Sequence, residues 1–303
     1  MAPFLLLDAH LPSGKTAVSM RWRGLRRSGN VRDVRGRGRS AGIPLSIGRR
    51  GGGIGVVVVL LLALILGGPE AVNMLLGDGG SGGFEGPPSV GAPSDEAGDF
   101  VAAILGSTED VWGTLFADSG AAYSPPQLTL FSTAVDSACG YASAAVGPFY
   151  CPADRRVYLD TSFFDELARL GGPGDFAQAY VIGHEIGHHV QTLVGTSAEV
   201  RQRQARAGET AANRLSVEME LQADCYAGVW AHHANRRNRV LEPGDVQEGL
   251  AAAAAIGDDR LQRNAGRRVT PDAFTHGSSA ERQRWLEAGL QGGRPEDCDT
   301  FAE

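Results

Sequence analysis

Two histidines and a glutamate, His184, Glu185 and His188, have the types and the spacing of a zinc site. On an α-helix, residues four apart lie on the same face about one turn from each other, so both imidazoles could bind one Zn²⁺. Glu185 is offset around the helix and could reach a water in the open coordination position of the metal. This arrangement is typical of hydrolases in which zinc activates water. The motif is short, so the surrounding elements must support it.

The residues around the motif predict one buried helix. Asp175 is a suitable N-cap and Gly195 a suitable C′ residue, and between them apolar side chains recur at near-helical spacing. Gly183 and Gly187 each cost such a helix about 1 kcal/mol relative to alanine. We therefore expect a strand, a metal or a substrate to approach the helix closely at these two glycines.

A catalytic zinc site usually takes three protein ligands and a water, so one more ligand must come from elsewhere in the chain. A third histidine six residues after the second, as metzincins have, is missing because Val194 occupies that position. His189 is unsuitable because it points about 100° away from His188 around the helix.

A second predicted helix, residues 214–230, carries acidic candidates for this ligand. Glu220 and Asp224 lie four apart and therefore on one face. Glu218 is the competing choice, but it lies six residues from Asp224 and so on a different face. Helical spacing therefore groups Glu220, but not Glu218, with Asp224.

The combination of these two helices resembles the gluzincin metallopeptidases. In that group a Glu-x-x-x-Asp on a second helix supplies the third zinc ligand and, one turn later, a carboxylate that holds a ligand histidine. The resemblance implies that Glu220 binds Zn²⁺. It also implies that Asp224 accepts the other ring N–H of His184, which would fix the tautomer of that histidine.

Near the C-terminus, residues 274–285 resemble the Thr-His-Pro-x-x-x-x-Arg segment of membrane-associated gluzincins. His276 and Arg282 stand in the matching places, and Gly277 stands where those proteins have proline. The resemblance implies that His276 stabilises an oxyanion and that Arg282 holds the site together. The alternative is an N-capping segment in which Ser278 or Ser279 begins the last helix.

Over longer stretches the chain resembles the bacterial putative neutral zinc metallopeptidase family, which implies a zincin-like catalytic domain. The resemblance covers about residues 98–303 and rests on five segments: 147–152, 184–191, 220–230, 255–262 and 274–277. Residues 20–24 are similar to the usual start of that family. We hypothesise that Met20 is the initiator and that residues 1–19 are not translated.

The charge of the chain is unevenly distributed. Residues 1–50 contain eleven Lys and Arg against two acids, whereas the remainder contains seventeen against thirty-three. After this basic segment, residues 54–66 form an unbroken apolar run, which predicts one transmembrane helix at 51–68. The positive-inside rule then places a basic tail, 1–50, in the cytoplasm and the remainder outside it.

A cleaved signal peptide is the alternative to this single-pass cell membrane protein, because thirteen apolar residues also match an h-region. A basic segment beside an anionic membrane face needs no nucleic-acid partner, so we expect none. Residues 69–98 are rich in Gly and Pro and are typical of a flexible linker. They predict a separate catalytic domain at 99–303.

Within that domain, the pattern predicts an α+β fold that is mostly helical with a small sheet. A helix is expected at 100–117, short strands at 127–131 and 156–160, and an alanine-rich helix at 246–262. In gluzincin-like proteins an edge strand pairs with the substrate backbone, and residues 157–159 are the candidate, an ordinary sheet strand being the alternative. Asp258, Asp259 and Arg260 are interpreted as a salt-bridged helix terminus rather than a second metal site.

Four cysteines lie beyond the apolar run, in a compartment where disulfides can persist. We prefer the pairs Cys139–Cys151 and Cys225–Cys298, because the first closes a short loop of hairpin size. Zinc binding by these cysteines is the rival interpretation, but the sequence has no Cys-x-x-Cys.

These features together predict a membrane-anchored, extracytoplasmic zinc peptidase. Its partners would be a protein or peptide substrate and the membrane. Glu185 would take a proton from the attacking water and pass it to the leaving amine. The alternatives are a non-catalytic zinc-binding scaffold and a membrane-tethered assembly factor.

Overall fold

The computed structural model describes residues 19–35 and 93–302 of the 303-residue chain. The predicted transmembrane helix, 51–68, and most of the predicted linker, 69–98, lie outside these described residues. Within the two described ranges, no helix combines the length and the apolar character needed to cross a bilayer.

A small sheet lies beside a larger set of helices. The strands of the described chain are β1 (Val31–Asp33), β2 (Gln127–Phe131), β3 (Ala134–Ser137), β4 (Gly140–Ser143), β5 (Phe149–Cys151) and β6 (Arg156–Asp160). Four of them form one sheet in the order β1-β2-β6-β5, in which β1, β2 and β6 are parallel and β5 is antiparallel to β6. Strands β3 and β4 form a separate hairpin.

The helices of the described chain, which contain most of its residues, are α1 (Glu96–Asp118), α2 (Phe163–Leu170), α3 (Asp175–Val194), α4 (Thr196–Gln204), α5 (Glu209–Asn238), α6 (Asp245–Ala255), α7 (Asp258–Asn264) and α8 (Ser279–Gly292). The structure thus has the α+β class predicted from the sequence, mostly helical with a small sheet. Both predicted strands coincide with β2 and β6. Helix α1 begins one turn earlier than predicted, where the Asp95 side chain accepts a hydrogen bond from the Gly98 amide.

Two predictions about the elements were wrong. Residues 157–159 lie in β6, an interior strand between β2 and β5, so they form an ordinary sheet strand, as the alternative expected, and the edge strands of this sheet are β1 and β5. The single helix predicted at 246–262 is divided into α6 and α7. The helix is interrupted at Gly257, whose backbone is extended with ψ of 140°. A Cβ at this position would lie 2.4 Å from the Ser279 amide nitrogen.

The N-terminal segment, which we define as residues 19–35, is part of the same folded body. Trp22, Leu25 and Val31 are buried in the main core, and β1 extends the sheet beside β2. Gly106 of α1 permits the close contact, because a Cβ there would lie 2.3 Å from the Arg26 carbonyl oxygen. The predicted division into a tail ending at residue 50 and a domain beginning at residue 99 therefore differs from the structure.

Arginines of the N-terminal segment pair with acidic residues of α1 and its N-cap. Arg27 makes two hydrogen bonds of 2.7 Å to the Asp99 carboxylate, and Arg26 contacts both Glu109 and Asp110. Further pairs join Arg23 to Glu96 and Arg35 to Asp95. Opposite charges that are separate in the sequence are thus neighbours in the fold.

Helix α3, which carries the zinc motif, packs closely against α5. A Cβ on Gly183 would lie 2.8 Å from the Trp230 ring, and one on Gly187 would lie 2.8 Å from the Ala223 carbonyl oxygen. The two glycines predicted to permit a close approach therefore face a helix rather than a strand. This packing brings the acidic residues of α5 within reach of the histidines of α3.

Two disulfides have the pairing preferred from the sequence, Cys139–Cys151 and Cys225–Cys298. The first joins the turn of the β3–β4 hairpin to β5, and the second joins α5 to the C-terminal segment. All four cysteines are used, so none is free to bind zinc.

Candidate active site

Helix α3 presents His184 and His188 on one face, with ring centroids 4.7 Å apart. The helix ends at Gly195, whose φ of 94° is readily adopted by glycine. Both imidazoles line one cleft of about 930 Å³, and the Glu185 side chain lines the same cleft. The side chains of all three motif residues therefore face the same cleft.

Glu220 reaches the same point from α5. Its carboxylate oxygens lie 3.1 Å from His184 Nε2 and 3.3 Å from His188 Nε2. One donor atom from each of the three residues lies within 4.8 Å of the others. Glu218, the competing candidate, instead lies 3.4 Å from Arg214. Two imidazole nitrogens and one carboxylate form a donor set that suits Zn²⁺.

The remaining ring nitrogens of both histidines face oxygen acceptors. His184 Nδ1 lies 2.8 Å from Asp224 Oδ1, and His188 Nδ1 lies 2.9 Å from Gln191 Oε1. Each contact favours the tautomer with a proton on Nδ1, which leaves the Nε2 lone pair directed at the shared point. Sequence reasoning missed Gln191, although a polar residue three positions after His188 on the same face was an available signal.

A buried network holds the Asp224 carboxylate. Arg282 donates to it from Nε and Nη2 at 2.8 and 2.9 Å, and the Tyr180 hydroxyl donates to Asp224 Oδ1 at 2.5 Å. Arg282 Nη2 also donates to the Tyr180 hydroxyl at 3.1 Å. The Arg282 side chain thus acts through Asp224, which contacts His184. Tyr180 was not singled out in the sequence, where it read only as an apolar position.

The two acidic groups of the site favour positive charge at the histidines. Burial opposes protonation, but the carboxylates of Asp224 and Glu220 outweigh it and raise the pKa of His184 to about 10. Burial likewise opposes the charge on Glu220, yet the two histidines hold the pKa of its carboxyl well below the usual range. A cation between these side chains is therefore electrostatically stabilised.

Glu185 has a different environment from Glu220. Its side chain is 7% exposed, and burial raises the pKa of its carboxyl although His184 and His188 oppose the shift. A carboxyl with a raised pKa is a stronger base once ionised, which suits a group that accepts and returns a proton.

The loop before α8 brings His276 to the cleft. The Asp258 carboxylate accepts hydrogen bonds from the backbone amides of Thr275, His276 and Gly277 at 2.6–3.1 Å, which fixes the loop. Gly277 has φ of 92°, a value that proline cannot adopt, so the departure from the gluzincin pattern is a change of backbone conformation. His276 lines the cleft together with His184 and Glu220.

The same loop also caps α8, as the alternative interpretation of this segment expected. Ser278 is the N-cap and forms a capping box with Glu281. At the start of α7, Asp259 contacts Arg263 and accepts from Ser279. Among residues 19–35 and 93–302, no group of side chains with metal-binding geometry includes Asp258 or Asp259.

His189 points away from the metal-binding group, as the helical geometry predicts. Its Nε2 donates to the Ser124 carbonyl oxygen at 2.7 Å, and its Nδ1 lies 3.1 Å from the Tyr150 hydroxyl. Burial lowers the pKa of His189 to about 4, so the ring is neutral at pH 7. It joins α3 to β5, the edge strand that borders the cleft.

The chain is similar to one family of proteins over most of its length. Residues 20–301 match the model of the family described as "Putative neutral zinc metallopeptidase". The "Uncharacterized protein YpfJ" of Escherichia coli K12 is 45% identical over 291 residues, which cover 94% of this chain and 99% of that protein. "Uncharacterized protein Mb2605" of Mycobacterium bovis and "Uncharacterized protein Rv2575" of Mycobacterium tuberculosis H37Rv are each 45% identical over 213 residues, 67% of this chain and 70% of those proteins. No solved structure matches the chain.

Proposed function

Because the chain belongs to the putative neutral zinc metallopeptidase family, we propose that it is a zinc-dependent peptidase that hydrolyses peptide bonds with water. One observation carries the proposal: His184 Nε2, His188 Nε2 and the Glu220 carboxylate converge in a cleft that Glu185 also lines. A purely structural zinc site usually has four protein ligands, whereas three and an adjacent glutamate leave a position for water.

The residues of this group fit Zn²⁺ in type, in orientation and in charge. His184, His188 and Glu220 would hold the ion, and Asp224 and Gln191 would keep the two imidazoles oriented. A bound Zn²⁺ lowers the pKa of a coordinated water to about 7 and polarises a carbonyl group.

Glu185 is the proposed general base. Its buried carboxylate would accept a proton from the attacking water and deliver it to the leaving nitrogen, and its raised pKa makes it a stronger base for the first transfer. His276 is the proposed donor to the developing oxyanion. Burial opposes protonation of His276, but the Asp258 carboxylate, 3.4 Å from His276 Nδ1, and the Glu220 carboxylate together outweigh it and raise the pKa of the imidazole.

The substrate backbone is proposed to pair with β5. This strand uses one edge to pair with β6, while Phe149 and Tyr150 line the cleft. An extended peptide could therefore add to the sheet as a further strand and bring a peptide bond to the metal-binding group. The cleft wall also includes Val181, Val200 and Met219, so apolar substrate side chains are expected to bind there.

The test is to measure zinc per chain and cleavage of an unstructured protein such as casein. Glu185→Gln should keep one zinc and lose about 10²–10⁴-fold in turnover, because it removes proton transfer and leaves the ligands intact. Glu218→Gln, two residues before Glu220 on the same helix, is the matched control and should keep both properties. Equal cleavage by wild type and Glu185→Gln would refute the mechanism.

One zinc per chain with no cleavage by wild type would instead favour a non-catalytic zinc-binding scaffold.

The site of action is proposed to lie outside the cytoplasm. The two disulfides support this location, because disulfides persist in oxidising compartments. Attachment to the cell membrane through the apolar run at 54–66 is proposed from the sequence. Cell fractionation followed by thiol alkylation tests both points: the chain should sediment with membranes and resist alkylation until it is reduced.

A further inference from the structure

A second group of acidic side chains lies outside the catalytic cleft, where the N-termini of α3 and α6 meet. Asp175 is the first residue of α3, Asp245 is the first residue of α6, and Glu248 lies one turn later on α6. One carboxylate oxygen from each of the three residues lies within 4.8 Å of the others. Two helices that are 70 residues apart in the chain thus direct three negative groups to one point.

The hydrogen bonds of this acidic group come from neutral donors. Glu248 accepts from the Phe176 amide at 3.2 Å, Asp245 Oδ2 accepts from the Glu242 amide at 2.8 Å, and the Ser19 hydroxyl donates to Asp175. Within the described ranges, no arginine or lysine forms an ion pair with any of the three carboxylates. Helix N-termini stabilise negative charge, but a helix end carries only a partial charge and does not neutralise a carboxylate.

Asp245 is fully buried, and one of its oxygens is unsatisfied. The residue is 0% exposed, and its Oδ1 accepts no hydrogen bond from the described part of the chain. Burial, together with the neighbouring Asp175 carboxylate, raises the pKa of Asp245, and the pKa of Glu248 is raised for the same reasons. A buried oxygen of this kind needs a positive partner, because unpaired buried charge is costly.

The backbone is shaped to admit the Glu248 carboxylate. Gly174, immediately before α3, has φ of 115°, and a Cβ there would lie 2.1 Å from the Glu248 carboxyl carbon. A side chain at this position would be strained at that φ and would have to displace the Glu248 carboxylate. The buried Asp245 oxygen therefore supports a built site rather than a chance cluster of surface acids, and the glycine leaves space for the third carboxylate.

We propose that Asp175, Asp245 and Glu248 bind a calcium ion. Three carboxylates supply oxygen donors alone, which suits a hard cation, whereas Zn²⁺ would favour the imidazoles of the cleft. Carboxylates on two separate helices can adjust to the long and variable bonds of Ca²⁺ more readily than to the short octahedral bonds of Mg²⁺.

The role of this ion is structural. It joins α3 to α6, and the Ser19 contact brings the N-terminal segment to the same point. Asp175 lies nine residues before His184 on α3, roughly 14 Å along the helix axis. The ion would therefore fix the start of the helix that carries the catalytic histidines without contacting substrate.

The experiment uses the full chain loaded with one equivalent of zinc in buffer otherwise free of divalent cations. Thermal unfolding is followed with no addition, with CaCl₂ and with MgCl₂ at equal ionic strength. At calcium a hundredfold above its dissociation constant, we expect Tm to rise by about 5 °C or more and magnesium to have a smaller effect. Equilibrium dialysis should give one calcium per chain, with zinc unchanged.

Asp245→Asn and Glu248→Gln should lose the calcium-dependent shift and the bound calcium. Without calcium they should unfold at the same temperature as wild type or higher, because each substitution removes repulsion between carboxylates. Glu287→Gln, an exposed glutamate on α8, is the matched control and should behave as wild type. The readout does not depend on peptidase activity.

No calcium-dependent shift in wild type, or the same shift in wild type and Asp245→Asn, would overturn the proposal.

Discussion

The guanidinium of Arg282 and the carboxylate of Asp224 form a fully buried pair with two hydrogen bonds, at 2.8 and 2.9 Å, directly behind His184. Their side chains are 2% and 0% exposed. The pair contributes no donor atom to the metal-binding group, but it determines where the carboxylate that contacts His184 lies. The position of a histidine on α3 thus depends on an arginine of α8, 98 residues away in the chain.

Arg282→Met should destabilise the fold by about 3–5 kcal/mol, because it leaves the buried Asp224 charge without its partner. Zinc affinity should also fall, since Asp224 would no longer be held against His184. Urea unfolding and zinc competition with a chelator measure the two effects. The double variant Asp224→Leu/Arg282→Met should recover part of the stability but none of the zinc affinity. Unchanged zinc affinity in the single variant would contradict this positioning role.

Gln191→Leu should lower zinc affinity by about 10–100-fold, the usual effect of removing a partner of a ligand histidine. The reason is that His188 loses the acceptor at 2.9 Å from its Nδ1. Gln178→Leu, on the same helix but outside the cleft lining, is the control and should bind zinc normally. Chelator competition provides the measurement, and equal affinities for the two variants would exclude the role assigned to Gln191.

Gly187→Ala should destabilise the protein by about 1–3 kcal/mol and weaken zinc binding, because the added Cβ would force α3 away from α5. That displacement would move the histidines of α3 from Glu220. Gly113→Ala is the matched control: it lies within α1, nothing lies within 4 Å of its added Cβ, and the substitution should stabilise by about 0.5–1 kcal/mol. Denaturant unfolding that shows equal effects for both substitutions would refute the steric explanation.

His189 should make the fold less stable in mild acid. Its folded-state pKa of about 4 lies below the unfolded value of about 6.5, so the unfolded state binds more protons and stability falls as pH falls through this interval. Between pH 7.5 and pH 5 the loss should be about 2 kcal/mol. Urea unfolding of zinc-free wild type and His189→Asn isolates this contribution, and the same pH dependence in both proteins would argue against it.

The sequence predicted the parts of the protein that local spacing determines. The helix with His184 and His188 and the strands β2 and β6 follow from short-range patterns. The pair Cys139–Cys151 is favoured by its short loop, and Cys225–Cys298 is the pair that then remains. Helical spacing together with the resemblance to the gluzincins favours Glu220 over Glu218 as the ligand.

Interactions between distant segments were not predictable in this way. Residues 21–35 are rich in arginine, which in the sequence is typical of a cytoplasmic tail. Only the folded chain shows that Arg27 forms a salt bridge with Asp99. The break at Gly257 depends on the approach of Ser279, and the edge position of β5 depends on the order of the whole sheet. The position of Gln191, three residues after His188, was a signal in the sequence, but only the folded chain shows its side-chain oxygen 2.9 Å from His188 Nδ1.

The pairing of β1 with β2 restricts how the chain can meet a lipid bilayer. Two hydrogen-bonded strands of one sheet cannot lie on opposite faces of a membrane, so residues 31–33 and 127–131 share one face. A single crossing, with the N-terminal segment inside and the catalytic helices outside, would separate β1 from its own sheet.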